Sequence, residues 1–278
     1  MEKIKIVVDS SADMLTLQGA DFSSAPLKIV TSVKEYVDND RLDVFEMVND
    51  LKSYKGKSST SCPNVNDWLV AFGDAERIIC ITITGTLSGS FNSASLAAKQ
   101  YMESKPEANV FVINSLSAGP EMKLIAEKIC DFASSGLSYE EICEKIMEYK
   151  ENTGLLFMLE SMRNLANNGR VNPIVAGIAG LLGIRVVGKA SDKGDLEQLD
   201  KCRGEAKALS AILKHLKALG YKGGKVRIGN SFNEVAANRL SDLIKAEYPS
   251  ANIEIYQSRG ICSFYAEKGG LMIGFEKI

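Results

Sequence analysis

The sequence predicts an α/β fold with two packed α/β domains, an N-terminal parallel sheet flanked by helices, and a ligand cleft between the domains. Strand-like apolar runs alternate with helical patterns through the first half, which is typical of a parallel sheet with helices on both faces. The runs at 77–84 and 109–113 are mostly apolar, as strands buried on both faces are. A second α/β pattern begins near Gly154, so we place the domains at 1–153 and 154–278.

In the first domain, the chain starts with a predicted strand at 4–8 that runs into Asp9-Ser10-Ser11, and short strands follow at 26–30 and 34–37. A helix is predicted at 42–54 because its apolar residues recur on one face, and Asn64 is placed to cap the next helix. The remaining segments are strands at 77–84 and 109–113 and helices at 90–104, 121–134 and 138–152.

The second domain begins with a predicted strand at 155–159 and a helix at 161–167. Asp192-Lys193-Gly194 has the composition of a hairpin turn between strands at 184–189 and 196–200. Further helices are predicted at 203–219 and 234–246, and strands at 226–230, 253–256 and 271–275. The apolar stretch 172–182 is either a core helix that packs through its glycines or the wall of a ligand tunnel.

Composition and charge exclude several classes of protein. The 278 residues are 45% hydrophobic and 24% charged, with a net charge of −2 and both signs interspersed. This balance indicates no nucleic-acid partner and at most transient membrane contact. The N-terminus lacks a signal-peptide pattern, and no apolar run reaches the roughly 18 residues of a membrane span, so we expect a cytoplasmic protein.

Cysteine and histidine usage argues against metal and cofactor chemistry. Six cysteines are scattered without a Cys-x-x-Cys pair, so neither a zinc site nor a disulfide framework is indicated. The single histidine, His215, excludes a multi-histidine metal centre and leaves little support for a histidine-based triad. We therefore expect no cofactor.

Three hydroxyl-rich segments are the clearest chemical feature, and we expect each to be a strand-to-helix turn. They are Asp9-Ser10-Ser11, Ser58-Ser59-Thr60-Ser61 and the run 82–90. At the carboxyl ends of parallel strands, hydroxyls and free amide groups are suited to an anionic oxygen. The alternative is that each Ser or Thr only caps a helix.

Catalytic motifs are weak by comparison. Gly85-Thr86-Leu87-Ser88-Gly89 is one residue too long for a nucleophile elbow, and no dinucleotide or Walker phosphate motif is present. We expect a binding protein and no enzyme. Two alternatives stay open: a serine-dependent acyl hydrolase or transferase that uses Ser88, and a kinase-partner or regulatory subunit with another kind of ligand.

Several motifs, in order along the chain, resemble those of the DegV family of bacterial fatty-acid-binding proteins. The run 6–13 resembles its Asp-Ser loop, Ser59-Thr60-Ser61-Cys62-Pro63 its Thr-Ser-Gln-Pro turn, and the run 87–94 its Leu-Ser-Gly-Thr-Tyr-x-Ser-Ala motif. Asn168-Gly169-Arg170 corresponds to its Gly-Gly-Arg. The matches extend from about residue 4 to 275.

This resemblance implies a long-chain fatty acid buried between the domains, with a possible fatty acid kinase subunit as partner. It implies that hydroxyls of Thr60, Ser61 and Ser88 hold the carboxylate. Our full set of expected ligand-binding residues is Thr60, Ser61, Ser88, Tyr265, Ser10, Gly89, Ser90 and Arg170.

Four positions depart from the family pattern, and two of them are Glu267 and Lys268, which stand where the family's C-terminal His-x-Gly-Pro-Gly signature has glycine and proline. Tyr265 stands where the family has a histidine, and Cys62 replaces its glutamine. A tyrosine hydroxyl can still donate a hydrogen bond, but it carries no positive charge near neutral pH as a histidine can. We expect fatty-acid binding to be retained despite these replacements. The choice of fatty acid and the coupling to a kinase are the properties that they could alter.

Overall fold

The computed structural model describes residues 3–172 and 183–277. The apolar helix predicted at 172–182, with its proposed tunnel wall, lies outside the described residues beyond Asn172. The strands are β1 (Ile4–Asp9), β2 (Asp21–Ala25), β3 (Lys28–Val30), β4 (Glu35–Val37), β5 (Ser59–Ser61), β6 (Arg77–Thr82), β7 (Asn109–Asn114), β8 (Thr153–Leu159), β9 (Ile184–Ala190), β10 (Leu196–Arg203), β11 (Lys225–Asn230), β12 (Asn252–Gln257) and β13 (Leu271–Glu276).

A 3-10 turn covers Ser10–Ala12, directly after β1. The α-helices are α1 (Val44–Ser53), α2 (Val65–Phe72), α3 (Ser90–Ser104), α4 (Pro120–Ser134), α5 (Tyr139–Glu151), α6 (Arg163–Asn167), α7 (Glu205–Ala218), α8 (Glu234–Glu247) and α9 (Gly260–Ala266). Asn64 caps α2 in a capping box with Asp67, which confirms that predicted helix start. Within the described ranges, no helix is long and apolar enough to cross a membrane.

The predicted parallel sheet is confirmed, with strand order β2-β1-β6-β7. Alternate residues of its central strands face opposite layers, as the pleat requires. Ile6, Ile79 and Ile81 pack against α4 and α5, whereas Val7 and Ile78 pack against Trp68 and Phe72 of α2 and the alanines of α3. Helices therefore cover both faces, and the strands are apolar on both sides.

The segment at Ser59–Ser61 differs from the prediction. We expected a strand-to-helix turn, but it is the short strand β5 in a separate antiparallel sheet of order β4-β3-β5. Thr60 lies opposite Ile29 in this sheet. A three-residue polar strand has no apolar alternation to reveal it, and only its pairing with β3 defines it.

The second half contains a six-stranded mixed sheet of order β10-β9-β8-β13-β11-β12. We predicted a second α/β unit without specifying strand directions, and only the β11–β12 pair is parallel. The predicted hairpin is confirmed, because β9 and β10 pair antiparallel with Ala190 opposite Leu196. Helices α7 and α8 pack on this sheet through a shared apolar core.

Helix α4 lies between the two large sheets and joins the halves. Its apolar residues face the parallel sheet, while a Cβ at Gly274 of β13 would lie 2.5 Å from the carbonyl carbon of Pro120. On the same side, Arg227 of β11 makes a two-pronged contact with Glu127, at 2.9 Å for Nε–Oε1 and 2.7 Å for Nη2–Oε2. The halves are thus packed together, as the sequence predicted.

Two buried carboxylates hold the start of α9. Asp38 accepts hydrogen bonds from the amides of Gly260 and Ile261 at 3.0 and 2.8 Å. Asp13, which follows the 3-10 turn, accepts one from the amide of Arg259 at 2.9 Å. Burial is the main cause that raises the pKa of Asp13 to about 7.

This raised pKa predicts a pH-dependent stability. The folded protein holds the Asp13 proton more tightly than the unfolded chain, whose value is near 3.8. The stabilisation is therefore full below pH 3.8 and is lost as the pH rises to about 7. At about 1.4 kcal/mol per pKa unit, the loss is on the order of 4 kcal/mol.

We expect the Asp13→Asn variant to show a weaker dependence of stability on pH than the wild type. Asparagine tolerates the left-handed backbone at position 13 (φ +59°) and keeps an oxygen for the Arg259 amide. Urea midpoints at pH 5 and pH 8 measure the effect, with the exposed Asp242→Asn as the control. Parallel pH profiles for the wild type and Asp13→Asn would contradict the prediction.

Candidate functional site

A cavity of about 280 Å³ lies between the halves of the molecule. Residues of the parallel sheet's loops, the small sheet, β8 and α9 line it, so neither half forms it alone. Its lining comprises Ser11, Leu27, Thr60, Ser61, Cys62, Ile83, Leu87, Ser88, Gly89, Ala118, Leu155, Phe157, Leu159, Leu165, Arg170, Leu196, Ile261, Cys262, Tyr265, Ala266 and Met272.

Most of the cavity wall is apolar, and β8 supplies much of it. Leu155, Phe157 and Leu159 line the cavity, while the intervening Leu156 and Met158 belong to the core of the second half. This division follows from the two-residue period of a strand. One strand therefore serves both the core and the cavity, which explains its continuous apolar sequence.

Hydroxyl groups from both halves meet in the wall. The hydroxyls of Thr60 on β5 and Tyr265 on α9 are 2.6 Å apart, and either oxygen can donate. Ser61 and Ser88 line the same cavity. Burial raises the pKa of Tyr265, while the Thr60 hydrogen bond and the charge of Arg170 oppose that rise. Tyr265 is therefore a neutral hydrogen-bonding group at physiological pH.

Arg170 brings the positive charge of the cavity wall. Its Nε donates to the carbonyl of Leu87 at 3.0 Å, and its Nη1 donates to the carbonyl of Asn168. These bonds fix the guanidinium beside the loop that carries Ser88. A half-buried arginine next to hydroxyl donors favours a ligand with an anionic group.

A buried carboxylate underlies the Ser88 loop. Asp9 is fully buried, and its Oδ2 accepts from the Ile83 amide at 2.8 Å and from the Ser90 hydroxyl at 2.6 Å. Its Oδ1 accepts from the amide of Ser11 at 3.2 Å and from the Ser11 hydroxyl. Burial raises the pKa of Asp9, and these four hydrogen bonds oppose the rise.

Two of the predicted ligand-binding residues lie behind the cavity wall. The Ser10 hydroxyl accepts from the Leu27 amide at 3.0 Å, and the Ser90 hydroxyl donates to Asp9 at 2.6 Å. Both side chains are buried and engaged within the protein. The structure therefore brings Thr60, Ser61, Ser88, Gly89, Arg170 and Tyr265 into the cavity lining and leaves Ser10 and Ser90 outside it.

The turn of the β9–β10 hairpin contacts the loop that carries Ser88. The Thr86 hydroxyl donates to the carbonyl of Gly194 at 2.8 Å. Gly194 has a φ of +84°, and a Cβ there would lie 2.1 Å from the Thr84 hydroxyl oxygen. Glycine is required at this turn because both the backbone conformation and the close approach exclude a side chain.

Sequence reasoning did not place several lining residues in the site. Ser11, Ile83 and Met272 come from three distant segments, and only the fold brings them together. Cys62, noted as a departure from the family pattern, lies against Gly89, with Sγ 3.2 Å from where a Cβ would be. The sequence contained a signal for Ser11, because this residue lies in the first hydroxyl-rich segment, Asp9-Ser10-Ser11.

The described lining carries mainly apolar and hydroxyl groups. Among the described lining residues, Arg170 is the charged one, and none is a histidine or a carboxylate. The Ser88 oxygen accepts from the Ser90 amide at 3.2 Å. His215 lies on α7 and contacts Asp200 at 2.6 Å. In the described ranges, no cluster of His, Cys, Asp and Glu could hold a metal ion.

Comparisons with known proteins show similarity along almost the whole chain. The model of a family described as an uncharacterised protein, DegV family, matches residues 3–277. A DegV domain-containing protein of Streptococcus pneumoniae is 43% identical over 276 residues, which are 98% of each chain.

Two solved structures with bound lipid are similar to this chain. The fatty acid kinase (Fak) B3 protein of Streptococcus pneumoniae, loaded with linoleic acid, is 42% identical over 100% of both chains with a TM-score of 0.98. A DegV family protein from Eubacterium eligens, loaded with heptadecanoic acid, is 42% identical with a TM-score of 0.97, covering 98% of this chain and 99% of that one.

Proposed function

The chain belongs to the DegV family, and from this we propose that it is a fatty-acid carrier that binds one long-chain fatty acid in the cavity between its halves. The observation that supports this most is the composition of the cavity, which joins an apolar wall to hydroxyls and one arginine. Two similar proteins are loaded with linoleic and heptadecanoic acid, which favours a fatty acid over another ligand.

Thr60, Ser61 and Ser88 hold the carboxylate in this proposal. In the Thr60–Tyr265 pair, one hydroxyl donates its hydrogen to the other hydroxyl. The second hydroxyl then donates its own hydrogen to a carboxylate oxygen of the ligand. The Gly89 amide at the start of α3 and the charge of Arg170 favour the ionised head group. Ser10 and Ser90 support this wall from behind.

The alkyl chain supplies most of the affinity. Burial of about 14 methylenes at ~0.8 kcal/mol each amounts to about 11 kcal/mol before the entropy cost of binding. The polar contacts then select for a carboxylate and fix which end of the ligand enters first. This division suits a carrier that accepts related acyl chains.

The partner we propose is a fatty acid kinase, to which the protein presents the bound carboxylate for acyl phosphate formation. The similarity to a Fak B3 protein supports this partner. We propose a non-catalytic role for the chain itself, since the described lining offers Ser88 no histidine or carboxylate as a base. Its six free cysteines suit a reducing cytoplasmic location.

Mass spectrometry of the purified, denatured protein tests the ligand. We expect a stoichiometric long-chain fatty acid to be released. We also expect Ser88→Ala and Thr60→Val to weaken binding of palmitate or oleate by about 10-fold or more, because each removes a hydrogen bond to a charged group. The exposed Ser210→Ala is the control.

Two outcomes would count against the proposal. Protein that is free of lipid and takes up neither palmitate nor oleate would remove its basis. Turnover of an acyl ester that disappears in Ser88→Ala would instead support the hydrolase alternative. Unchanged background hydrolysis in that variant would exclude it.

A further inference from the structure

One buried carboxylate joins three segments that form the polar wall of the cavity. Asp9 ends β1, and its four hydrogen bonds reach the 3-10 turn at Ser11, Ile83 directly after β6, and the start of α3 at Ser90. Ser11 and Ile83 themselves line the cavity. Asp9 does not, and its side chain is completely buried.

We propose that Asp9 is a positioning residue that holds the Ser88–Ser90 loop in the geometry needed to recognise a carboxylate head group. This inference rests on the proposed function, because it assigns a role within the same site. It concerns the head group, since the four hydrogen bonds of Asp9 go to the segments at Ser11, Ile83 and Ser90, next to the polar wall.

The connection to Ser88 runs through Ser90. Asp9 holds the Ser90 hydroxyl, and the Ser90 amide donates to the Ser88 oxygen at 3.2 Å. That donation turns the Ser88 oxygen toward the backbone and leaves its hydrogen free to donate elsewhere. Gly89, between them, starts α3 without a side-chain cap, so the loop lacks the usual local anchor at that position.

An amide cannot replace the Asp9 carboxylate without loss. Each oxygen of Asp9 accepts from one backbone amide, of Ser11 or of Ile83, and from one hydroxyl. A hydroxyl can rotate to accept from an introduced NH₂ group, but a backbone amide cannot. In Asp9→Asn, the NH₂ group must therefore face one fixed amide donor, whichever way the side chain is placed.

The effect on recognition follows from this mismatch. The segment whose amide faces the NH₂ group moves away. If that amide is the one of Ile83, the loop at 88–90 loses its anchor. If it is the one of Ser11, the loop changes its position relative to Ser11. Hydrogen bonds to the ligand's carboxylate depend on that position, because they weaken steeply with distance and angle. Much of the apolar wall is formed by Leu155, Phe157 and Leu159 of β8, and none of the four Asp9 hydrogen bonds goes to that strand.

The test compares a fatty acid with the fatty alcohol of equal chain length, in the full-length protein. We expect Asp9→Asn to weaken palmitate binding by about 10-fold while changing hexadecanol binding by less than about twofold. A general structural defect would weaken both ligands together. Glu121→Gln is the matched control, since Glu121 is also a buried carboxyl but lines a different pocket.

A second pair of variants keeps the test decisive if Asp9→Asn does not fold. Ser90→Ala removes one link to Asp9, and Ser90→Thr restores the hydroxyl. We expect Ser90→Ala to reduce the acid-to-alcohol preference and Ser90→Thr to recover it. An unchanged preference in Ser90→Ala, or in folded Asp9→Asn, would overturn the positioning role.

The same measurements separate this inference from the proposed function. Wild-type protein that binds neither palmitate nor hexadecanol would refute fatty-acid binding itself. Wild-type protein that prefers palmitate, together with an Asp9→Asn variant that keeps this preference, would refute only the role of Asp9.

Discussion

Ala118→Phe is expected to abolish tight binding of long-chain fatty acids while the protein remains folded. Ala118 is half-buried and lines the cavity between the halves. A phenyl ring there would occupy part of a space of only about 280 Å³. Exclusion of about four methylenes at ~0.8 kcal/mol each costs about 3 kcal/mol, or more than 100-fold in affinity.

Displacement of a fluorescent fatty acid by ligands of increasing length measures this effect. We expect the affinity for palmitate to fall by more than 100-fold. The affinity for an eight-carbon acid should change little, because its shorter chain needs less of the cavity and Thr60 and Ser88 stay in place. Ala206→Phe, on the exposed first turn of α7, is the matched control. A folded Ala118→Phe protein with normal palmitate affinity would show that the chain binds elsewhere.

Loss of the Arg227 side chain is expected to destabilise the protein by about 3–5 kcal/mol. Arg227 is 6% exposed and pairs with Glu127 of α4, the helix between the two large sheets. Removal of Arg227 leaves the Glu127 carboxylate, which is 14% exposed, with the more distant Lys225 amine at 4.0 Å as its cationic partner. The loss of a close partner from a largely desolvated carboxylate costs far more than the pair itself contributes. Glu254, 3.3 Å from Nε, would add repulsion between two carboxylates.

Urea unfolding of Arg227→Met tests this expectation. The double variant Arg227→Met with Glu127→Leu should recover much of the loss, because it leaves no unpaired charge. Arg239→Met is the control, since Arg239 is 65% exposed beside Glu205 and such surface pairs contribute under about 1 kcal/mol. A loss of stability in Arg227→Met no larger than in the control would contradict the prediction.

The parallel sheet could be predicted from local sequence because its pattern is local. Apolar runs such as Arg77–Thr82 and alternating helical segments carry the information in a few consecutive residues. Asn64 revealed a helix start for the same reason. The strand at Ser59–Ser61 was missed because its partner strand β3 lies far away in the sequence, with Ile29 paired to Thr60, and no local hydrophobic period marks it.

The lining of the cavity could be predicted in part. The hydroxyl-rich segments indicated an anion site, and the family pattern indicated Thr60, Ser61 and Ser88, which the structure places in one cavity lining. Ser10 and Ser90 have the same residue type and neighbouring positions, yet their hydroxyls point into the protein. Residue type does not show which way a side chain faces in an irregular loop.

The sequence by itself determined the residue chemistry of this protein: apolar strands, three hydroxyl-rich segments, one histidine and no catalytic motif. Only the tertiary structure decided which hydroxyls share a cavity, that Tyr265 meets Thr60 across 205 positions of sequence, and that Asp9 supports the wall. The physical reason is that hydrogen bonds and packing act over a few ångströms in space, whereas sequence patterns report only neighbours along the chain.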